Sequence, residues 1–515
     1  MKYLAMTKMA DRGDPLLTEA AQGKGSVLPL VLAVLNEFNR RRVSYCYWKS
    51  SQRAHLVMSG EGDLDLLIGR EDQHRAQALL LGLGLKPFPC VAFRDHPSIS
   101  SFLGYDEPSG RLVHLHLHFR LIIGEPLLKN YRIPWEDEIL ARGVRHETLP
   151  LLILDPVSEA LLLVVRSCLE LTHLDPIALR DRRRLNGKFV LDHNELRKRV
   201  DVSALRGRAI GLFGTELGGL VAAAFRDDPP LWNQRRLRSR VRRHFAVCRS
   251  YNSVELRLRS VGRTLLSVAA GINNRLFHLP VASRRKAPGG GCRVAIIGLD
   301  GSGKSTVVAA MRDWLSSEID VASLYFGTGD GRASLFLRPF KLIIPLVTRL
   351  LRTKPKGASH GKISSGPPTP LYSALMMVWA LVVALEKRVK LATASRAANR
   401  GLVVVTDRYP QDEVLGFNDG PMLPRLPKAP HWLRRFEASS YALAHRVPPD
   451  LVVKLTVGPE TTAKREPDMD RGVIEERIEG LKRLTLKGAH VVSVDARQPL
   501  PRVLADVRRE IWRFL

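Results

Sequence analysis

The sequence predicts an α/β protein: a C-terminal doubly wound, parallel-sheet domain preceded by an α+β domain with a helical extension. Three observations carry that reading. A glycine-rich loop, Gly298-Leu299-Asp300-Gly301-Ser302-Gly303-Lys304-Ser305-Thr306, stands between the apolar run Val294–Ile297 and the helix-like stretch Val307–Met311. Four more short apolar runs follow it, at 321–326, 401–406, 451–457 and 490–494, each separated by stretches long enough for a helix. Such alternation of strand and helix is how a parallel sheet is built. In the first half, carboxylates and apolar residues alternate over Asp63–Ile68, with the period of two of a strand.

Size and charge bound the rest. A chain of 515 residues has room for two to four domains, and 45% hydrophobic residues are enough to fill their cores. Lysine and arginine number 80 against 51 acidic residues, a formal charge of +29. That balance favours anionic partners and does not choose among nucleotides, nucleic acid and an acidic membrane surface. The five cysteines are far apart and form no C-x-x-C pair, which suggests a reducing compartment with no disulfide framework and no zinc knuckle. Residues 1–25 are polar, lack a signal-peptide core and read as a flexible N-terminus. The longest apolar run, Leu371–Leu385, falls short of the ~18 residues of a membrane span and reads as a buried helix. The expectation is a cytoplasmic protein without a transmembrane segment.

In order, residues 26–42 read as an amphipathic helix and Val43–Ser50 as a short strand and turn. On the strand beginning at Asp63, the period of two places Asp63 and Asp65 on one face, about 7 Å apart, a spacing suited to Mg²⁺. Residues 71–83 read as a helix. These features resemble the nucleotidyltransferase superfamily in its minimal branch, which places a small-residue turn (here Trp48-Lys49-Ser50) before a D-x-D strand. The resemblance covers roughly 30–200 and implies that Asp63 and Asp65 are metal ligands. The family's later D-L-H-W strand corresponds to Val113–Arg120, with His116 where its third carboxylate, which activates the attacking hydroxyl, is expected. His114, His116 and His118 share one face by the same period. Beside the two aspartates they form either a site for Zn²⁺, Mn²⁺ or Fe or a remodelled pocket of neutral imidazoles. Asp155-Pro156 with Glu159 starts a helix, and helices continue to about 225 as the extension of this domain, 26–225.

Residues 226–291 read as a basic connector and linker. It holds an arginine run at 235–243, which would bind an anionic lipid, nucleic acid or nothing, and a Pro/Gly-rich stretch, Ala282–Gly291.

The second domain spans 292–515. Its loop fits G-x-x-x-x-G-K-[ST]. The glycines let successive backbone N–H groups turn toward phosphate oxygens, and the helix N-terminus adds its partial positive charge. Lys304 would reach the β- and γ-phosphates and Ser305 would hold Mg²⁺. Gly327–Arg332, after the second strand, lies where α/β sheets bind ligands and is a candidate acceptor loop carrying Asp330 and Arg332. Residues 339–352 read as a helix, 353–370 as a breaker-rich insertion, and 371–396 as a helix. Asp407 and Arg408 end the third strand at the same edge.

Here the resemblance is to the thymidylate kinase-like family of P-loop kinases. The loop 298–306 looks like its G-x-D-G-x-G-K-S-T, Thr406-Asp407-Arg408-Tyr409 like its D-R-Y, and Pro449-Asp450-Leu451 with Gly458-Pro459-Glu460 and Lys464-Arg465 like its lid region. Val494-Asp495-Ala496 resembles its last strand. The resemblance implies a P-loop kinase fold and ATP-dependent phosphoryl transfer to a nucleoside monophosphate such as dTMP or a related small acceptor, with Mg²⁺. It implies that Gly298, Gly301, Ser302, Gly303, Lys304, Ser305 and Thr306 bind ATP, that Asp300 faces the acceptor sugar, and that Asp407 orients the metal. Arg408 would grip the acceptor phosphate, and Lys464, Arg465 and Arg471 would close from the lid. Two departures bear on the acceptor: Ile297 replaces a glutamate, and Gly327–Arg332 replaces an R-E-P-G turn. The alternatives are a nucleic-acid end-processing enzyme and a non-catalytic ATP-binding switch or scaffold; a homodimer is compatible with each.

Overall fold

A computed structural model describes residues 27–125, 128–170, 176–226, 235–273, 276, 279–327, 370–414, 420–426, 429–467 and 469–515. The expectations for 1–25, for the acceptor loop beyond Gly327, for the helix 339–352 and for the insertion up to 369 lie outside the described residues. The chain divides into two compact units, Met1–Leu279 and Pro280–Leu515.

Unit 1 begins with α1 (Pro29–Arg40), β1 (Tyr45–Tyr47), α2 (Ala54–Met58), β2 (Leu64–Ile68) and α3 (Gln73–Gly82). It continues with β3 (Lys86–Pro87), β4 (Ile99–Asp106), β5 (Arg111–His118), β6 (Leu121–Ile123), β7 (Tyr131–Ile133), α4 (Glu136–Ala141), β8 (Val144–Arg145) and β9 (Leu152–Ile153). Helices follow: α5 (Pro156–Glu170), α6 (Pro176–Arg197), α7 (Val202–Phe213), α8 (Thr215–Arg226), α9 (Arg235–His244) and α10 (Ser253–Ile272).

Seven strands form a mixed sheet in the order β3-β4-β5-β2-β1-β9-β8, and β6 pairs with β7 separately. The strands are two-faced because side chains alternate. Tyr45, Tyr47, Leu64, Leu66, Ile68, Val113, Leu115 and Leu117 join a core closed by Val31, Val34, Leu35 and Phe38 of α1 and by Ala76 and Leu80 of α3. Those α1 positions recur at i, i+3, i+4 and i+7, the stripe that fastens a helix to a sheet. Cys46, Trp48 and Leu67 of the opposite face join the second core, with α5 and the helices after it. Asp155 starts α5, accepting from Ser158 N–H at 3.1 Å. The stretch at 235–248 does not behave as a free connector. Leu237, Val241 and Phe245 enter this second core, so the apolar positions of an arginine-rich helix decide its place.

Unit 2 contains β10 (Cys292–Gly298), α11 (Lys304–Ser316), β11 (Val321–Tyr325), α12 (Pro370–Asn399), β12 (Val403–Asp407) and α13 (His431–Arg446). It ends with β13 (Leu451–Thr456), α14 (Pro459–Arg465), α15 (Arg471–Arg483), β14 (His490–Asp495) and α16 (Leu500–Phe514). Its sheet has five strands, all parallel, in the order β11-β12-β10-β13-β14. The chain leaves β10 toward β11 and later crosses to β13 on the other side. The loop after β10 is thereby placed where the direction of winding reverses, at the carboxyl edge where α/β sheets open a crevice. Apart from Arg293 near the start of β10, strands β10 and β12 are buried along their length, which is why Val and Ile run consecutively in them. The stretch Ala282–Gly291, read as a linker, is tied down within unit 2. Ser283 and Arg284 donate their N–H groups to Asp320 Oδ2 at 2.7 and 2.6 Å, and Ala287 N–H bonds Gly401 O. Helix α12 is half-buried: Ala380, Val383 and Leu391 face inward, while Val378, Leu385 and Val389 are exposed. Among the described residues no helix is long and apolar enough to cross a membrane.

Candidate functional site

The glycine-rich loop of unit 2 takes the shape its composition demands. Gly301 and Gly303 adopt φ of +73° and +84°, a region that side chains disfavour. A Cβ at Gly298 would lie 2.5 Å from Ser302 Oγ and 3.0 Å from Leu455 O, so this position needs a glycine to let the loop fold back on the sheet. Gly303 precedes the first turn of α11 and no side chain caps that turn. The leading N–H groups of α11 thus have no side-chain acceptor, the arrangement that suits a phosphate.

Around the loop the predicted residues converge. Lys304 is buried, donates to Leu299 O and lies 3.7 Å from Asp300 Oδ1. Burial pushes its pKa down to about 8, against the opposing pull of Asp300. Ser305 Oγ donates to Asp407 Oδ2 at 2.7 Å. The register explains the meeting: Asp407 ends β12 opposite Ile296 of β10, two residues before the loop. Asp407 is 4% exposed and its Oδ1 has no hydrogen-bond partner. Ser302 Oγ is buried and likewise unpartnered. Ser305 and Thr306 are exposed at the mouth.

Asp300 is the hub on the other side. Arg408, in a left-handed conformation at φ +68°, donates Nη2 to Asp300 Oδ1 at 2.9 Å. Arg477 donates Nη1 to Asp300 Oδ2 at 3.1 Å. Arg465 reaches Gly301 O at 3.0 Å from α14. Arg471 is not brought to the loop: it is exposed and pairs with Glu475 on its own helix at 3.3 Å. Arg477, six positions on, was not among the expected residues. It lies in the buried stripe with Ile474 and Leu481 of α15, a cation inside an apolar repeat, and that repeat is its signal in the sequence.

In unit 1 the two aspartates and three histidines meet on the face turned to the helices. Parallel pairing sets Asp65 opposite His116. Asp63 accepts from His114 Nδ1 at 2.7 Å, and Asp65 bonds His116 Nδ1 at 3.3 Å and His118 Nε2 at 2.8 Å. Two sets of donor atoms, Asp63/His114/His116 and Asp65/His116/His118, each lie within 4.8 Å of one another. Burial pushes His116 down to about 4 and His118 to about 3, so both imidazoles stay neutral. Despite burial both carboxyls stay below the usual carboxylate range: His114 holds Asp63 down, and at Asp65 Lys49 does so first, followed by the hydrogen bonds from His116 and His118. Lys49 itself is lowered to about 8 by burial, with Asp65 pulling the other way. Beyond the expected set, a polar network backs the Trp48–Ser51 turn. Ser50 Oγ donates to Asp192 at 2.9 Å, and Ser51 N–H donates to Glu159 at 2.8 Å.

Together these features define an α/β protein with a phosphate-type loop at the carboxyl edge of an all-parallel sheet, and a second, histidine-rich cluster in a separate unit. No family model matches the chain. It is similar to two proteins of Escherichia coli K12. One, the uncharacterized ATP-binding protein YghS, is 31% identical over 228 residues, which make up 43% of this chain and 93% of YghS. The other, the uncharacterized ATP-binding protein YghR, is 26% identical over 222 residues, 42% of this chain and 86% of YghR. The chain belongs to the family of YghS.

Proposed function

We propose that unit 2 binds ATP and transfers its γ-phosphoryl group to a small acceptor, a nucleoside monophosphate of the dTMP kind or a related phosphorylated or hydroxylated compound. The observation that carries this reading is the meeting of Ser305 Oγ with Asp407, whose buried Oδ1 is unpartnered, at the foot of the glycine-rich loop. The names of YghS and YghR support the nucleotide. A hydroxyl beside a buried carboxylate oxygen fits Mg²⁺, which takes oxygen ligands; Ser305 and Asp407 would hold it. When bound, the ion supplies positive charge to the β- and γ-phosphates.

The chain's own groups do the rest. The α11 N-terminus and Lys304 hold the phosphates, and Arg465, already at Gly301, offsets charge on the transferring group. Arg408 and Arg477, fixed by Asp300, present cations toward the acceptor. In the transfer the bond from the γ-phosphorus to the bridging oxygen breaks as the acceptor oxygen bonds to phosphorus, and ADP leaves. The test is ATP consumption by the full chain over nucleoside monophosphates, nucleosides and sugars, beside Lys304→Ala. Acceptor-dependent turnover lost in the variant is expected. ATP binding without such turnover gives the switch or scaffold reading, and phosphorylation of RNA or DNA ends gives the end-processing one.

For unit 1 we infer a nucleotidyltransferase-like domain with Asp63 and Asp65 as metal ligands. The neutral imidazoles of His116 and His118 beside them favour Mn²⁺, Zn²⁺ or Fe over Mg²⁺. Metal analysis after dialysis, with Asp65→Asn as control, checks this: no retained transition metal leaves the remodelled-pocket reading.

A further inference from the structure

Helix α9 turns its apolar positions, Leu237 and Val241, into the core of unit 1; Arg238 is buried beside them, and Arg235, Arg236 and Arg243 are exposed. A cavity of about 540 Å³ opens there, lined by Arg235, Arg238, Ser239, Arg242, Arg243 and Arg249. Positions 235, 238 and 242 form one stripe at i, i+3 and i+7, with 239 and 243 beside it. No carboxylate is among the described lining residues.

Three of the five guanidiniums are fixed by the fold. Arg238 is 7% exposed. Arg242 donates Nε to Cys168 O at 3.1 Å. Arg249 donates Nε to the Tyr131 hydroxyl at 3.0 Å and sits 5.4 Å from the centre of that ring. Among the described residues, two nearby acidic groups do not line the cavity. Glu216 pairs with Arg240, which is not a lining residue, and Glu125 is buried, within electrostatic reach of Arg242 and Arg263. Five guanidiniums gathered around one concavity give it a positive potential that attracts an anion. Arginine rather than lysine gives planar forks that match phosphate oxygens two at a time. The volume is that of a small-molecule site, which favours a compact ligand over a polymer.

We propose that this cavity binds a compact ligand carrying two or more phosphate groups, at a site separate from the loop of unit 2 and independent of how that loop functions. The probe is sodium tripolyphosphate on the full chain, read by calorimetry and by hydrogen–deuterium exchange. The expected result is protection of residues 235–249. Arg235 and Arg243 are exposed, so Arg235→Gln with Arg243→Gln leaves the fold intact. Since a charged hydrogen-bond partner is worth roughly tenfold in affinity, the pair should weaken binding about 100-fold. Arg240→Gln, on the same helix but outside the cavity, should change it less than threefold. Protection confined to 298–306, an equal loss in Arg240→Gln, or no effect of the double variant overturns the proposal. Vesicles with a bisphosphorylated inositol headgroup, run in parallel, identify the source. Binding of free tripolyphosphate supports a soluble ligand, and binding of the vesicles alone with the same variant losses places the phosphates on a lipid. Tighter binding of single-stranded RNA than of either, with the same losses, overturns the compact-ligand reading.

Discussion

Lys304 gives a quantitative test of where the phosphates sit. Its pKa, pushed down to about 8 by burial, means that about half of the side chain is neutral at pH 8 and about a tenth at pH 7. Phosphate oxygens within ~4–6 Å favour the ammonium and return the pKa toward the ordinary lysine value near 10.4. ATP binding should therefore take up about 0.1 proton at pH 7, about 0.5 at pH 8 and about 0.9 at pH 9 through this group. The sign follows for affinity. A site that must protonate on binding is insensitive to pH below 8 and loses up to tenfold per unit above it, until the bound-state pKa is passed. Calorimetric titrations of the full chain with ATP in buffers of different ionisation enthalpy give the proton count directly. Subtracting the same series for Lys304→Ala removes the nucleotide's own titration. An uptake that stays flat or falls from pH 7 to pH 9, or that survives in Lys304→Ala, would refute the placement of phosphate at Lys304.

Three further outcomes are expected. If unit 2 transfers phosphoryl groups as proposed, Asp407→Asn should retain metal-free ATP binding but lose 100-fold or more in turnover, since the proposal assigns the residue to charge at the transferring group; steady-state kinetics beside metal-free calorimetry separate the two. Glu159 has its pKa raised by burial from 4.5 to about 7. Folding thus favours its proton, and the stability this lends below pH 4.5 is lost as the pH rises from there through about 7. Glu159→Gln should be nearly neutral at pH 4.5 and stabilise by about 2–3 kcal/mol at pH 8; melting curves showing the same change at both values would contradict this. Val254, Leu258, Val261, Leu265, Val268 and Ile272 of α10 are all exposed and recur in alternating steps of four and three. That is the seam of a coiled coil, so light scattering should show self-association that Leu258→Glu with Leu265→Glu abolishes; a monomeric wild type at high concentration would refute it.

The elements were legible wherever one period dominated. The Val/Ile runs of β10, β12 and β13 announced buried strands, and the alternation at Asp63–Ile68 and His114–His118 placed five polar side chains on one face before any pairing was known. The three-dimensional partners were less legible. Arg471 and Arg477 share a helix and differ in which face they occupy, and only the stripe of Ile474 and Leu481 distinguishes them. The arginine run at 235–243 read as a connector because its charge outweighs its apolar positions. Burial of Leu237 and Val241, with Phe245 just beyond and the bond from Arg242 to Cys168 O, ties it into unit 1. The tether of Ser283 and Arg284 to Asp320 spans 37 and 36 residues and uses backbone N–H groups, which leave no trace in composition.

Asp300 illustrates how a loop can hold excess positive charge without a ligand. Lys304, Arg408 and Arg477 all face this one carboxylate, at 3.7, 2.9 and 3.1 Å. With Asp407 also within electrostatic reach of Lys304, the carboxylates limit the mutual repulsion of these cations without outnumbering them. It also fixes their positions from three separate elements: the first turn of α11, the end of β12 and the inner face of α15. A phosphate-bearing ligand entering between them meets side chains that are already ordered, and the entropy of arranging long cationic chains has been met in folding rather than in binding. An aspartate at the third position of the loop therefore has a physical role in the fold itself: it links the loop to the residue after β12 and to α15, whose Arg477 the glycine-rich motif does not itself specify.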